Sequence, residues 1–152
     1  MFERLKQQIQ SKNDLNNKNI KCIGMSYKLD KELEIIKKIE GFQNVRFIFL
    51  YGSNATDNAK NDSDIDLCIY YEGPENKAFR FRLKVLSKLG NDKYDVKIFQ
   101  QLPLYIRKEV LKGILVYADD FNFVHETAIN TIKEFDYFKR YYYDYIGLEI
   151  IT

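Results

Sequence analysis

The stretch Val45–Tyr71, VRFIFLYGSNATDNAKNDSDIDLCIYY, contains two apolar runs separated by a polar segment. The first run, Val45–Tyr51, is rich in β-branched and aromatic residues and predicts a buried strand. The second run, Leu67–Tyr71, follows Asp64-Ile65-Asp66 directly and predicts another strand. Gly52-Ser53 ends the first run, and ten residues separate it from Asp64. Two strands with a Gly-Ser turn after the first and an acidic triplet before the second therefore form the framework of the fold.

The acidic triplet predicts a cation site. Residues i and i+2 of a strand point to the same face, so Asp64 and Asp66 project side by side while Ile65 turns into the core. Two adjacent carboxylates repel each other unless one is protonated or a cation lies between them. Mg²⁺ commonly uses one or two carboxylates together with substrate phosphates. Asp64 and Asp66 are therefore predicted metal ligands.

The Gly-Ser turn predicts a phosphate site beside that cation. Gly52 has no Cβ at the point where the first strand ends, and Ser53 can cap a short helix whose free backbone N–H groups bind a phosphate. A third carboxylate, Asp95, interrupts the strand-like run Tyr94–Phe99 and shares a face with Lys97. An Asp in such a run is locally unfavourable, and such inconsistencies are expected at functional sites.

Three carboxylates suit transfer of a phosphoryl or nucleotidyl group. Two metal ions bridged by Asp64 and Asp66 would align the triphosphate with the attacking oxygen, and Asp95 would complete the shell of one of them. Such chemistry needs mainly positioning and neutralisation of charge. We expect two Mg²⁺ ions, with Mn²⁺ as an alternative, at Asp64, Asp66 and Asp95.

The remaining patterns predict an α+β fold with a mixed sheet flanked by helices. We expect one domain of the 152 residues. Asp30 is a predicted N-cap, and the helix at 76–89 is expected to place Phe79, Leu83 and Leu86 on one face, opposite a basic stripe. The predicted elements are helices at 31–40, 76–89, 103–112 and 124–148, and strands at 45–51, 67–71, 94–99 and 114–117.

Composition excludes several classes of protein. The formal net charge of +2 and the absence of a dense basic patch make nucleic acid an unlikely partner. No apolar run approaches the roughly 20 residues that span a bilayer, and the first residues lack the apolar core of a signal peptide. Cys22 and Cys68 indicate no disulfide framework. A reducing cytoplasm is the expected location.

The last predicted helix has more aromatic surface than one small core needs. Val124, Phe135 and Phe138 belong to a ridge that recurs every three or four residues, and Tyr137 and Tyr141 belong to a neighbouring ridge with Leu148. Packing of the whole helix on the sheet is one interpretation, and docking of a partner chain is the other.

The motif Gly52-Ser53, ten residues and Asp64-Ile65-Asp66 resembles the GSx₁₀DxD motif of the DNA polymerase β-like nucleotidyltransferases. The short length resembles the minimal nucleotidyltransferase (MNT) group, which supplies the antitoxins of HEPN/MNT toxin–antitoxin pairs. The resemblance implies a polymerase β palm-like sheet, Mg²⁺ dependence and ATP as substrate. By position, Gly52 and Ser53 would hold the triphosphate, Asp64 and Asp66 the metals, and Asp95 would be the third ligand and the base.

The resemblance also implies a reaction and a partner. Members of the MNT group pair with a HEPN-domain ribonuclease toxin, and some transfer AMP from ATP to a tyrosine hydroxyl of that toxin. The expected partner is such a toxin or a second copy bound through the C-terminal helix. The expected division is an N-terminal extension at 1–30, a nucleotidyltransferase core at 31–120 and a C-terminal aromatic helix at 121–152.

One departure from the group keeps other functions open. Members often read Gly-Ser-Arg-Ala-Arg-Gly, whereas this chain reads Gly-Ser-Asn-Ala-Thr-Asp at 52–57, so both arginines are absent. Lys60 lies where a further basic residue is common and is a predicted nucleotide-binding residue. The alternatives are a weakly active or inactive fold that neutralises a partner by binding, and a small-molecule or RNA nucleotidyltransferase. The latter is disfavoured because nothing after Asp119 resembles a substrate-binding domain.

Overall fold

The computed structural model describes residues 3, 5–7, 29–52 and 64–147, excluding the side chain of residue 146. Its strands and helices follow the predicted order, and two short 3₁₀ helices at Phe42–Asn44 and Phe99–Gln101 join them. No helix among these residues is long and apolar enough to cross a membrane. The elements are α1 (Asp30–Lys37), β1 (Val45–Tyr51), β2 (Ile65–Tyr71), α2 (Glu75–Leu89), β3 (Tyr94–Ile98), α3 (Leu104–Leu111), β4 (Ile114–Ala118) and α4 (Phe121–Ile146).

The four strands form one mixed sheet in the order β3-β2-β1-β4. β1 pairs antiparallel with both β2 and β4, whereas β2 and β3 are parallel. Parallel neighbours require a crossover connection, and α2 supplies it. The expected α+β fold, a mixed sheet flanked by helices with a long C-terminal helix, is therefore confirmed.

Side chains of the sheet enter two cores, one on each face, because successive residues of a strand alternate. Ile48, Leu67 and Val96 belong to the core that contacts α1 and α2. Phe49 and Cys68 belong to the core that contacts α3 and the first half of α4. Since both faces are covered by helices, the strands read as nearly continuous apolar runs.

The predicted apolar face of α2 was wrong at Phe79 and Leu83, whereas Leu86 packs against the core. Ala78, Phe81 and Val85 are its buried residues, whereas Phe79 is 49% exposed and Leu83 is 46% exposed. Two apolar ridges three to four residues apart occur on this helix, and the sequence pattern fits either of them. The ridge that contains the smaller Ala78 packs on the sheet, which lets the helix approach it closely.

Two helices also start at positions other than those predicted. Asp30 lies in the first turn of α1 instead of capping it, and the capping position belongs to Leu29, which makes no side-chain cap hydrogen bond. α4 begins at Phe121, because the Asp120 carboxylate accepts a hydrogen bond from the Asn122 backbone N–H and caps the helix there. A carboxylate at a helix N-terminus also interacts favourably with the helix dipole.

The C-terminal part of α4, residues 136–145, has no buried side chain. Val124, Ala128 and Phe135 are buried, but every described side chain from 136 to 145 is exposed or half-buried. At 1.5 Å per residue, ten residues of helix extend about 15 Å beyond the core. Tyr137, at 76% exposed, and Tyr145, at 90%, are the most exposed aromatic residues of this segment. Tyr137 and Tyr141 are exposed in the isolated chain, as the docking interpretation of this helix requires, and Leu148 lies outside the described residues.

Candidate functional site

Three polar side chains form a row across the sheet where β1 ends and β2 and β3 begin. Tyr51 pairs with Asp66 across the antiparallel strands, and Asp66 pairs with Asp95 across the parallel strands. Directly paired residues place their side chains on the same face, so Tyr51, Asp66 and Asp95 are neighbours. The structure therefore brings Asp95 beside Asp66, as the alternation of β3 predicts.

The row lies at the edge of the sheet face that α3 and α4 cover, where these helices leave the strands open. Cys68 follows Asp66 on the same face and is fully buried, whereas Asp66 is half-buried and Asp64 is exposed. The opposite face stays apolar throughout, because Leu67 and Val96 remain in the other core. β2 thus passes from the core to the open surface between Cys68 and Asp66. The buried part of the strand holds the Asp66 carboxylate rigidly, and the open part leaves it accessible to a ligand.

Gly52 touches the central carboxylate of the row. A Cβ at this position would lie 2.5 Å from Asp66 Oδ2, and the backbone φ is +75°. Both the contact and the left-handed conformation favour a residue without a side chain. Gly52 at the end of β1 therefore lies directly against the Asp66 carboxylate.

The electrostatics of the row favour an added cation. Burial raises the pKa of Asp66, and the charges of Asp95 and Asp64 raise it further. Burial also raises the pKa of the Tyr51 phenol, with smaller effects from Cys68, Asp66 and Asp95, so this hydroxyl stays protonated and can donate a hydrogen bond. A divalent cation would relieve the repulsion between the carboxylates.

A lysine already partly relieves it. Lys97 Nζ lies 3.7 Å from Asp95 Oδ1, and the Lys97 charge lowers the pKa of Asp66 against the larger effects that raise it. Lys97 pairs with Cys68 in the next row of the sheet, on the same face as Asp95. Sequence reasoning placed Lys97 on this face but assigned it no function, although its i+2 spacing from Asp95 was the available signal.

The residues suit a metal that also binds substrate. Among the described residues, no three Asp, Glu, His or Cys side chains converge into a ready-made metal cluster. Asp66 and Asp95 nevertheless form a facing carboxylate pair, and Mg²⁺ typically uses one or two carboxylates and completes its shell with water and substrate phosphates. The chemistry of the donors thus fits Mg²⁺, and the assignment of Asp64, Asp66 and Asp95 as its ligands stays a prediction.

Two predicted site residues cannot be placed. Ser53 and Lys60 lie outside the described residues, so their roles in nucleotide binding also stay predictions. Sequence reasoning missed Tyr51, whose position directly before Gly52 was the available signal. It belongs to the row through its pairing with Asp66.

A mixed sheet that places an acidic pair beside a glycine turn defines a nucleotidyltransferase-like fold and site. The family model of the polymerase beta nucleotidyltransferases matches residues 33–122. Since this match covers more than half of the 152 residues, the chain belongs to the polymerase beta nucleotidyltransferase family.

A relative from Methanocaldococcus jannaschii carries the name of a protein adenylyltransferase. It is 45% identical to this chain over 73 residues, which are 48% of this chain and 55% of the relative. The chain thus spans about half the length of this curated relative.

Solved structures share the fold at low identity. One chain of a toxin–antitoxin crystal structure with AMP-PNP has a TM-score of 0.63 at 15% identity, over 78% of this chain and 95% of that chain. One chain of a tri-AMPylated Shewanella oneidensis HEPN toxin in complex with its MNT antitoxin has a TM-score of 0.61 at 17% identity, over 79% and 96%. At such identities the similarity shows the fold alone.

Proposed function

We propose that this chain is a Mg²⁺-dependent protein adenylyltransferase that transfers AMP from ATP to a hydroxyl, most simply a tyrosine hydroxyl, of a partner protein. The observation that carries the proposal is the pairing of Asp66 with Asp95 beside Gly52. Membership of the nucleotidyltransferase family and the adenylyltransferase name of the relative support it.

The reaction forms one bond to phosphorus and breaks another. The acceptor oxygen attacks the α-phosphorus of ATP, the bond to the β-phosphate oxygen breaks, and pyrophosphate leaves. When bound, Mg²⁺ neutralises phosphate charge and lowers the pKa of the acceptor hydroxyl. Asp64, Asp66 and Asp95 would hold the metal, while Gly52, Ser53 and Lys60 would hold the triphosphate.

Asp95 would take the proton of the acceptor hydroxyl, because it stands on the outermost strand of the site. β3 is an edge strand and pairs only with β2 in the described sheet, so an acceptor can approach Asp95 from the open side. The triphosphate side lies at the other end of the row, where Gly52 follows β1. The row thus separates the acceptor from the leaving group, as an in-line displacement needs.

The partner is proposed to be a HEPN-type toxin, which this chain would inactivate as an antitoxin in the cytoplasm. The support is the fold shared with a chain of a complex between a tri-AMPylated HEPN toxin and an MNT antitoxin. The exposed aromatic segment of α4 at 136–145 is available for such a contact. Self-association through the same surface is the alternative.

The test is transfer of label from ATP. The purified chain is incubated with a purified HEPN-type toxin, MgCl₂ and ATP labelled at the α-phosphate. We expect label on the toxin, loss of label with EDTA, and loss of label with Asp66→Asn. Labelling that persists in Asp66→Asn would contradict the site assignment.

A second function is favoured by one observation, the absence of both arginines after Gly52-Ser53. The chain could then neutralise its partner by contact with little catalysis. An Asp66→Asn variant that still neutralises the toxin, together with no label transfer by the wild type, would support this alternative.

A further inference from the structure

Lys97 is a charged residue in a position where stability does not require one. Its ammonium lies 3.7 Å from Asp95 Oδ1, and the side chains of Lys97 and Asp95 are 42% and 44% exposed. Exposed ion pairs of this kind contribute little to the stability of a fold. The pair is therefore better explained by its place beside the carboxylate row than by a need of the fold.

The geometry points to Lys97 as an internal counter-ion that competes with the divalent cation for Asp95. Among the described residues, it is the basic group whose charge acts on Asp66. Lys97 lies two residues after Asp95 on the edge strand β3, on the same face, and pairs with the buried Cys68. This inference rests on the proposed function, because it assumes that a metal binds at Asp66 and Asp95.

The competition follows from charge and distance. A metal ion on an Asp95 oxygen would lie at about 2.1 Å from it, and the ammonium is held on the same carboxylate at salt-bridge distance. Two cations so close repel each other, so binding of the metal must weaken or displace the lysine contact. Lys97 thus lowers the repulsion among the carboxylates in the metal-free protein and raises the metal concentration at which the site fills.

A different role is available for a lysine on an edge strand. Charged side chains there, especially lysine, discourage pairing with the edge of another sheet. That role would not change the affinity of the site for a metal, and its loss would appear as aggregation. The two roles therefore separate in one set of measurements.

The test uses Mn²⁺ alone as the probe, without nucleotide or partner, and follows the EPR signal of the free ion. We expect Lys97→Met and Lys97→Gln to bind Mn²⁺ about tenfold more tightly than the wild type at low salt, and Lys97→Arg to stay close to wild type. Because the pair is exposed, the difference should shrink at about 1 M salt. Lys84→Met is the matched control, since Lys84 pairs with Glu40 at 3.8 Å on an exposed surface.

The outcomes separate this inference from the proposed function. Unchanged Mn²⁺ affinity in both neutral Lys97 variants, with binding abolished in Asp66→Asn, would overturn the role of Lys97 and leave the metal site intact. No Mn²⁺ binding by the wild type or by either variant would overturn both. Tighter binding in both neutral variants without label transfer to any partner would support the role of Lys97 and contradict the proposed enzyme activity alone.

Discussion

The carboxylate of Asp66 occupies the space that a side chain at residue 52 would need. A Cβ on Gly52 would come within 2.5 Å of Asp66 Oδ2, and the φ of +75° adds backbone strain for any other residue. The glycine of the Gly-Ser turn is thus required by its contact with the acidic triplet as well as by the turn itself.

Gly52→Ala is expected to damage the site and the fold together. We expect a loss of roughly 1–2 kcal/mol from the left-handed backbone alone, with a fall of melting temperature of about 2–8 °C. Displacement of Asp66 should also abolish transfer of AMP. Thermal melting and the label-transfer assay measure the two effects.

Gly90→Ala is the matched control for that substitution. Gly90 has a φ of +61°, but a Cβ there would meet only a backbone oxygen at 3.8 Å and no atom of the carboxylate row within 4 Å. We expect Gly90→Ala to lose about as much stability as Gly52→Ala and to keep full transfer activity. Equal loss of activity in both variants would show that the effect of Gly52→Ala is global.

Asp66→Asn is expected to stabilise the metal-free protein at neutral pH while it abolishes transfer. Because the folded-state pKa of Asp66 is raised, its contribution to stability is fully present below about pH 4 and is lost as the pH rises through the raised pKa. At about pH 7.5 the wild type retains the unfavourable charge and the amide does not. Since Asp66 is half-exposed, we expect a gain of about 2 °C in melting temperature.

The gain should disappear at acid pH, where Asp66 is protonated in both folded and unfolded chains. A pH series of thermal melts measures it, with Asp92→Asn, an exposed turn residue, as the control. An Asp66→Asn variant that is less stable than the wild type at neutral pH would contradict the repulsion among the carboxylates.

Asp95→Asn is expected to lower turnover more than binding of ATP. Asp95 lies on the edge strand β3, on the opposite side of Asp66 from Gly52. Its proposed role concerns the acceptor hydroxyl, so kcat should fall by about 100-fold or more while the ATP affinity changes by a few-fold. Isothermal titration with a non-hydrolysable ATP analogue gives the affinity, and an equal loss of both quantities would place Asp95 on the nucleotide side instead.

Arg46 is expected to stabilise the fold without a role in transfer. Its guanidinium pairs with Glu72 at 2.6 Å and Asp119 at 2.9 Å and lies over the Phe123 ring at 3.9 Å. It thus joins β1 to the residues that follow β2 and β4 and to α4. Arg46→Met should cost about 1–2 kcal/mol in the free energy of unfolding and leave transfer intact. Urea unfolding measures this loss of stability. The control Lys84→Met breaks one exposed ion pair and should cost less than about 0.5 kcal/mol.

The sequence contained enough information for the sheet and for the carboxylate pair. Period-two alternation fixes the face of Asp66 and of Asp95 separately, and only the register of β2 with β3 brings them together. The helix register was less determined, because Phe79 and Leu83 are as apolar as the Phe81 and Val85 that pack inward. Contacts that depend on distances through space, such as Gly52 against Asp66, have no counterpart in a one-dimensional pattern.

The exposed segment of α4 at 136–145 predicts a contact with another chain. The Tyr137 and Tyr141 rings lie one helical turn apart with centroids 6.0 Å from each other, and the side chains are 76% and 59% exposed. Helices gain most of their stability from packing of one face, and this segment has no buried face in the isolated chain. Tyrosine offers a large apolar area and a polar tip that tolerates water until a partner arrives.

Replacing Tyr137 and Tyr141 with Ser should therefore weaken association by about 2–4 kcal/mol if they are anchor residues, with little loss of stability in the isolated chain. Tyr105→Ser is the matched control, since Tyr105 is 55% exposed on α3 and lies outside this segment. Sedimentation and pull-down with the cognate toxin measure association, and a thermal melt measures stability. Sedimentation of the chain alone separates a toxin contact from self-association. Unchanged association together with a collapsed melting temperature would show that these tyrosines serve the fold of the chain itself.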